Sequence, residues 1–119
     1  MTLLSKDQIL AAEDLPFQDV EVPEWGGTVR VRAMTGKDRD EFEKDAMRYE
    51  NGEIVTDRTN YRAKFLAKCV VNEKNELLFT AKDVEALGKK SYRAIDKVFS
   101  VAIDLSGVSK KEADNIKNG

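Results

Sequence analysis

The sequence predicts an α+β fold: a small antiparallel β-hairpin or sheet packed with about four to five α-helices. Three observations carry that prediction. The stretch VEVPEWGGTVRVR at residues 20–32 alternates apolar and charged residues on both sides of a glycine-rich connection. This is the period of a strand with one wet face. The segment 92–105 places Tyr92, Ile95, Phe99 and Ala102 on one helical stripe. Helix-start patterns recur as Ser5-x-x-Gln8, Thr35-x-x-Asp38, Thr80-x-x-Asp83 and Ser109-x-x-Glu112. At 119 residues the chain fits a single domain spanning 1–119.

In chain order, Ser5 and Gln8 form a capping box for a short helix to Ala12, with Leu4 and Ile9 placed to staple it. Pro16 ends that segment. The hairpin follows over 17–34. If Glu24-Trp25-Gly26-Gly27 forms its loop, Val22 faces Val29 and Val20 faces Val31. Glu21 then meets Arg30, and Asp19 meets Arg32. A two-residue Gly26-Gly27 turn is the alternative, and it keeps the same four valines on one face. Pro23 has no backbone donor, so it lies on an edge or already in the loop.

Thr35 opens a helix expected over 36–50, with a thin stripe of Phe42, Ala46, Met47 and Tyr49. Asn51-Gly52 is a turn signal, and 53–59 reads as a mobile loop. The next helix is expected over 59–71, with Tyr61, Phe65, Leu66, Cys69 and Val70 at helical spacing. Leu77-Leu78-Phe79 reads as a small strand or hairpin adding to the first. A short helix over 81–87, anchored by Val84 and Leu87, ends at Gly88 as its C′ residue. In the main helix at 91–106, Val98, Val101, Ile103 and Leu105 widen the stripe until its last turns are apolar nearly all round. A final helix opens at Ser109. There is no internal repeat.

The composition excludes several kinds of chemistry. The chain has no histidine, which removes the commonest general base and metal ligand. Its one cysteine, Cys69, permits no internal disulfide and sits on an apolar helix face. Asp38, Asp40 and Glu41 cluster without the central glycine of a calcium loop. No glycine pattern fits a phosphate loop. We therefore expect no catalytic residue, cofactor or metal. A net charge of −2 disfavours nucleic acid as the main partner. No apolar run approaches the ~20 residues of a membrane span, and nothing reads as a signal peptide, so a cytosolic protein is expected.

Two features are suited to binding. Trp25, the only tryptophan, stands beside Pro23 at the hairpin tip; it anchors a partner or folds back over a thin core. Val98, Phe99 and Ile103 lie on the apolar end of the main helix, which is either the central core helix or a partly open groove.

Taken in order, these blocks resemble one family. VEVPEWGGTVRVR leads through Met34-Thr35-Gly36-Lys37 into an acidic helix with Arg39, Glu41 and Phe42. LLFTAKDVEALGKKS and AIDKVFSVAIDLSGVS follow, and LLSKDQILAAEDL opens the chain. Together they are similar to the tail assembly chaperones of long, non-contractile-tailed bacteriophages and related prophages, over essentially the whole chain. The resemblance implies a protein encoded between the major tail protein and the tape measure protein. It implies a holdase that binds the tape measure protein and keeps it soluble. A longer form, made by ribosomal frameshifting, would recruit major tail (tube) protein subunits. The site of action would be the bacterial host cytoplasm, and the chaperone would be missing from the finished virion. A homo-oligomer is also expected, because a surface that binds helical partners also suits self-association. Two other readings compete: a structural tail or head–tail component retained in the virion, and a small carboxylate-based enzyme.

Overall fold

The computed structural model describes residues 2–108; the helix expected from Ser109 lies outside them. The architecture is α+β. Helix α1 (Lys6–Ala11) precedes a hairpin of β1 (Phe17–Val22) and β2 (Gly27–Arg32). Helix α2 (Gly36–Asp45) leads to a second hairpin, β3 (Met47–Glu50) and β4 (Glu53–Thr56). Then come α3 (Tyr61–Leu66), β5 (Val70–Val71), α4 (Val84–Gly88) and the long α5 (Tyr92–Leu105). Strands order as β1-β2-β5 in one antiparallel sheet, and β3-β4 form a separate two-stranded sheet.

The first hairpin keeps the expected faces but shifts its register by two residues. Val20 pairs with Val29, Asp19 with Arg30 and Val22 with Gly27. The loop is Pro23–Gly26 rather than 24–27. Pro23 offers no donor to the ladder, so pairing stops at Val22, and Pro23 starts a 3-10 turn (Pro23–Trp25). Gly26 closes that turn with φ +73°, a conformation only glycine adopts freely. The expected Glu21–Arg30 and Asp19–Arg32 pairs give way to Asp19–Arg30 at 2.8 Å. Arg32 turns instead to Asp38 at the start of α2, at 3.0 Å. A two-residue slip preserves facing because side chains alternate with period 2.

The helix expected over 36–50 ends at Asp45. Asn51 (φ +53°) and Gly52 (φ +82°) form the tight turn of the β3–β4 hairpin. Residues 47–50 therefore pair across to 53–56, and the expected mobile loop is largely a strand. Met47 and Tyr49, expected on a buried stripe, are exposed. The helix expected over 59–71 likewise stops at Leu66. Cys69 lies in the turn beyond it, and Val70–Val71 become the third strand against β2. Leu77 joins that sheet only through an isolated bridge to Val71, and Leu78 N–H donates to the Val70 carbonyl at 3.0 Å. Gly88 is the last residue of α4 rather than its C′ position. Its lack of a side chain matters for another reason: a Cβ there would overlap the Asn60 side-chain amide at the start of α3 and push it aside.

Core residues come from every layer. Val20, Val22 and Val31 meet Phe65 and Leu66 of α3 and Val98, Phe99 and Ala102 of α5. Rings pack edge to face, from Tyr61 to Phe42 at 5.0 Å, Phe42 to Phe65 at 5.2 Å and Phe65 to Phe99 at 5.2 Å. Helix α5 is fixed at its start by the Ser91 hydroxyl, which accepts from Ala94 N–H at 3.3 Å. At its other end Gly107 takes φ +69°, and the Ser106 hydroxyl accepts from Met34 N–H at 3.1 Å.

Candidate partner-binding surface

The structure separates the residues singled out for binding. Val98, Phe99 and Ile103 lie inside the core and present no atoms to a partner. The apolar end of α5 is wide because β1, β2 and α3 surround it. Pro23 is exposed at the hairpin tip, and Trp25 is half-buried. The indole folds back against the core. With Phe79 and Leu87 it lines a shallow depression of about 470 Å³, rimmed by Glu24, Asp83 and Lys90. A second depression of about 350 Å³ lies on the other side of Phe79, floored by Phe42, Ala67 and Val84 and edged by Lys64 and Lys68.

Several charged groups are held in ion pairs. Asp38 pairs with Arg32, and Glu41 accepts from Lys68 at 2.8 Å. The Lys68 ammonium holds the Glu41 carboxyl below its usual range. Arg30 does the same for Asp19. Burial pushes the Cys69 thiol up to about 12, against a smaller lowering by its contact with the Ser106 hydroxyl at 3.9 Å. Such a thiol is a poor nucleophile at neutral pH. Among the described residues, no group of three or more His, Cys, Asp or Glu side chains is arranged to hold a metal. None of the described helices is long and apolar enough to cross a membrane.

Exposed apolar surface lies elsewhere. Leu3, Leu4, Ile9 and Leu10 project from the N-terminal arm, and α1 buries none of its residues. The capping box forms as expected, with Gln8 N–H donating to Ser5 Oγ at 3.2 Å and Ser5 N–H to Gln8 Oε1 at 2.9 Å. The Leu4 and Ile9 side chains nonetheless stay in water. A second patch is Met47, Tyr49 and Ile54 on the β3–β4 hairpin. Sequence reasoning missed both. The signal for the hairpin was present, because MRYE-NG-EIVT is an Asn-Gly turn between two short alternating segments. Nothing in the arm's pattern distinguishes an exposed amphipathic helix from a docked one.

Fold and surface define a small α+β domain with a closed core and apolar residues displaced to its outer elements. A family model described as phage tail assembly chaperone matches residues 6–117, and the chain belongs to that family. The role this names, assembly chaperone, is non-catalytic and is exercised in the host cell during assembly. The solved structure of the bacteriophage HK97 tail assembly chaperone shares the fold. Its TM-score is 0.56 at 16% identity, over 83% of this chain and 94% of that one. No curated protein matches the chain in sequence.

Proposed function

We propose that this tail assembly chaperone binds the tape measure protein and keeps it soluble until the tail tube forms around it. A frameshifted, longer form would recruit the major tail protein. It works in the bacterial host cytoplasm and leaves before the virion is complete. One observation carries this reading: large apolar side chains stand in water on two outer elements, while the core behind them is closed. A holdase needs apolar surface that is accessible without unfolding, and contiguous exposed patches mark interaction sites. The family membership supplies the context of tail assembly, and the resemblance of the sequence blocks supplies the client.

Co-expression with the tape measure protein tests the proposal. The expected result is a soluble client that co-elutes with the chaperone on gel filtration. A client that stays insoluble, with no complex, overturns it. Mass spectrometry of purified particles tests departure from the virion: the chaperone's peptides should be missing, and their presence at tail-subunit levels would favour a structural component.

A further inference from the structure

One corner of the molecule is cationic, although the chain carries a net charge of −2. A depression of about 200 Å³ opens where the start of α3 meets the turn between α4 and α5. Arg58, Arg62 and Lys90 line it with Asn60, Tyr61 and Tyr92, and among the described residues no carboxylate does. The depressions on either side of Phe79 mix both signs. One has Asp45 with Lys64 and Lys68, and the other has Glu24 and Asp83 with Lys90. The fold keeps the cationic space open: Gly88 stands on its wall without a side chain, beside the Asn60 amide. Arg62 is held in place by aromatic rings. Its guanidinium lies 5.3 Å from the Tyr92 ring centre and 5.5 Å from that of Phe99, a cation–π arrangement. Asp96 approaches Arg62 at 3.9 Å, which offsets the charge of Arg62 and leaves that of Arg58 and Lys90.

We infer that this corner receives an acidic segment of a partner protein, with a carboxylate in the cationic depression and a neighbouring large apolar side chain against Trp25. Lys90 ties the two halves together. It lines both the cationic depression and the one formed by Trp25, Phe79 and Leu87. The two hollows therefore adjoin, and adjacent side chains of one peptide reach both. An arginine fork pairs a carboxylate through two parallel N–H donors, and such charge-assisted bonds are about twice as strong as neutral ones. The adjoining hollow decides between a peptide and a nucleic acid. Glu24 and Asp83 on its rim repel a polyanion but leave room for one carboxylate beside an apolar group. Complementary charge of this kind selects and orients a partner, which the bare apolar area of the arm and the β3–β4 hairpin does less well. The inference goes beyond the client reading and holds whether or not the tape measure protein supplies the segment.

The test uses the purified full chain and no tape measure protein, so it succeeds or fails separately from the client reading. The probe is N-acetyl-leucyl-glutamate amide, which carries one carboxylate beside one apolar side chain, titrated at millimolar concentration and followed by amide NMR. Saturable shifts are expected at residues 58–63 and 88–92 and at the Trp25 indole N–H, and they should weaken with added salt. The leucyl-glutamine analogue should bind about tenfold more weakly, the loss expected when a hydrogen bond to a charged group is removed. Arg58→Glu with Lys90→Glu should abolish the shifts. Both side chains are exposed, so the thermal transition of this variant should stay close to that of the parent. Absence of saturable shifts with the glutamate probe overturns the inference. Equal binding of the two probes, or binding that survives the charge reversal, overturns it as well. So does a short oligouridylate that binds the same amides more tightly than the peptide, which would assign the corner to nucleic acid.

Discussion

The body of this molecule and its two outer elements use the same residue types to opposite ends. In the body, Phe65, Leu66, Val98 and Phe99 are fully buried among three strands and two helices. In the arm and the β3–β4 hairpin, leucine, isoleucine, methionine and tyrosine stand in water. The difference lies in what surrounds each element. A stripe on α5 meets a sheet on one side and α3 on another, so its burial stabilises the fold. A stripe on α1 meets solvent and adds nothing to the stability of a single chain. Apolar residues of the second kind are therefore available to a partner without cost to the body, and those of the first kind are not.

The largest expected effect separates the two regions by stability. Phe99→Ala removes a fully buried ring that stacks edge to face on Phe65. Truncation of such a ring costs about 3–5 kcal/mol, a large part of the stability of a domain this size. Leu10→Ala on the arm should leave the monomer's stability within about 0.5 kcal/mol. Urea unfolding of both variants measures the contrast, and comparable losses would mean that the arm is packed. Trp25→Ala falls between them. Half-burial of the indole against Phe79 and Leu87 predicts a loss of about 1 kcal/mol. If Trp25 also anchors the client, its removal should weaken complex formation by more than that loss explains.

The same contrast separates what was legible in the sequence from what was not. Elements of the body were readable, because burial imposes a period on them: the valines of β1 and β2, and the Ile95, Phe99 and Ala102 stripe of α5. Their fine geometry was less so. Register slipped by two because alternation fixes the face and not the partner, and Pro23 decided where pairing ends. Helix lengths after Thr35 and around Cys69 were overestimated, because apolar residues that fit a helical stripe also fit a strand. Met47 and Tyr49 alternate outward on β3, while Val70 and Val71 enter the sheet. Trp25 and Pro23 were placed correctly at a tip. For Val98, Phe99 and Ile103 the pattern left two readings, core helix or open groove, and the packing of β1, β2 and α3 around α5 decides for the core.

A smaller effect probes the seam between the two regions. The chain leaves β4 and reaches α3 through Asn60, which takes φ +53° and lies against Gly88 of α4. Gly88→Ala gains about 1 kcal/mol of helix propensity but forces the Asn60 amide aside, so the two effects nearly cancel. In an Asn60→Gly background the obstacle is gone, and glycine tolerates the positive φ. Gly88→Ala should then stabilise by about 1 kcal/mol. A double-mutant cycle of unfolding free energies reads this coupling. Strict additivity would mean that residues 60 and 88 do not compete for the same space.

The smallest effect concerns the outer face of the body's own sheet, which is wet like the projections. Asp19 pairs with Arg30 at 2.8 Å, and that hydrogen bond lowers the Asp19 pKa from 3.8. A carboxyl with a depressed folded-state pKa contributes stability that is fully present above its unfolded value. The contribution is lost as pH falls through the folded value. The window therefore lies below about pH 4, and neutral-pH stability should be flat with respect to this group. Glu41, lowered by Lys68 from 4.5, adds to the same acid-side loss. Asp19→Asn should lower stability slightly at pH 7 and flatten part of the decline between about pH 4 and pH 2. Thermal melts across that range compare the two proteins. An unchanged acid slope would show that the Asp19–Arg30 pair, like many exposed ion pairs, sets the orientation of side chains on this face without stabilising it.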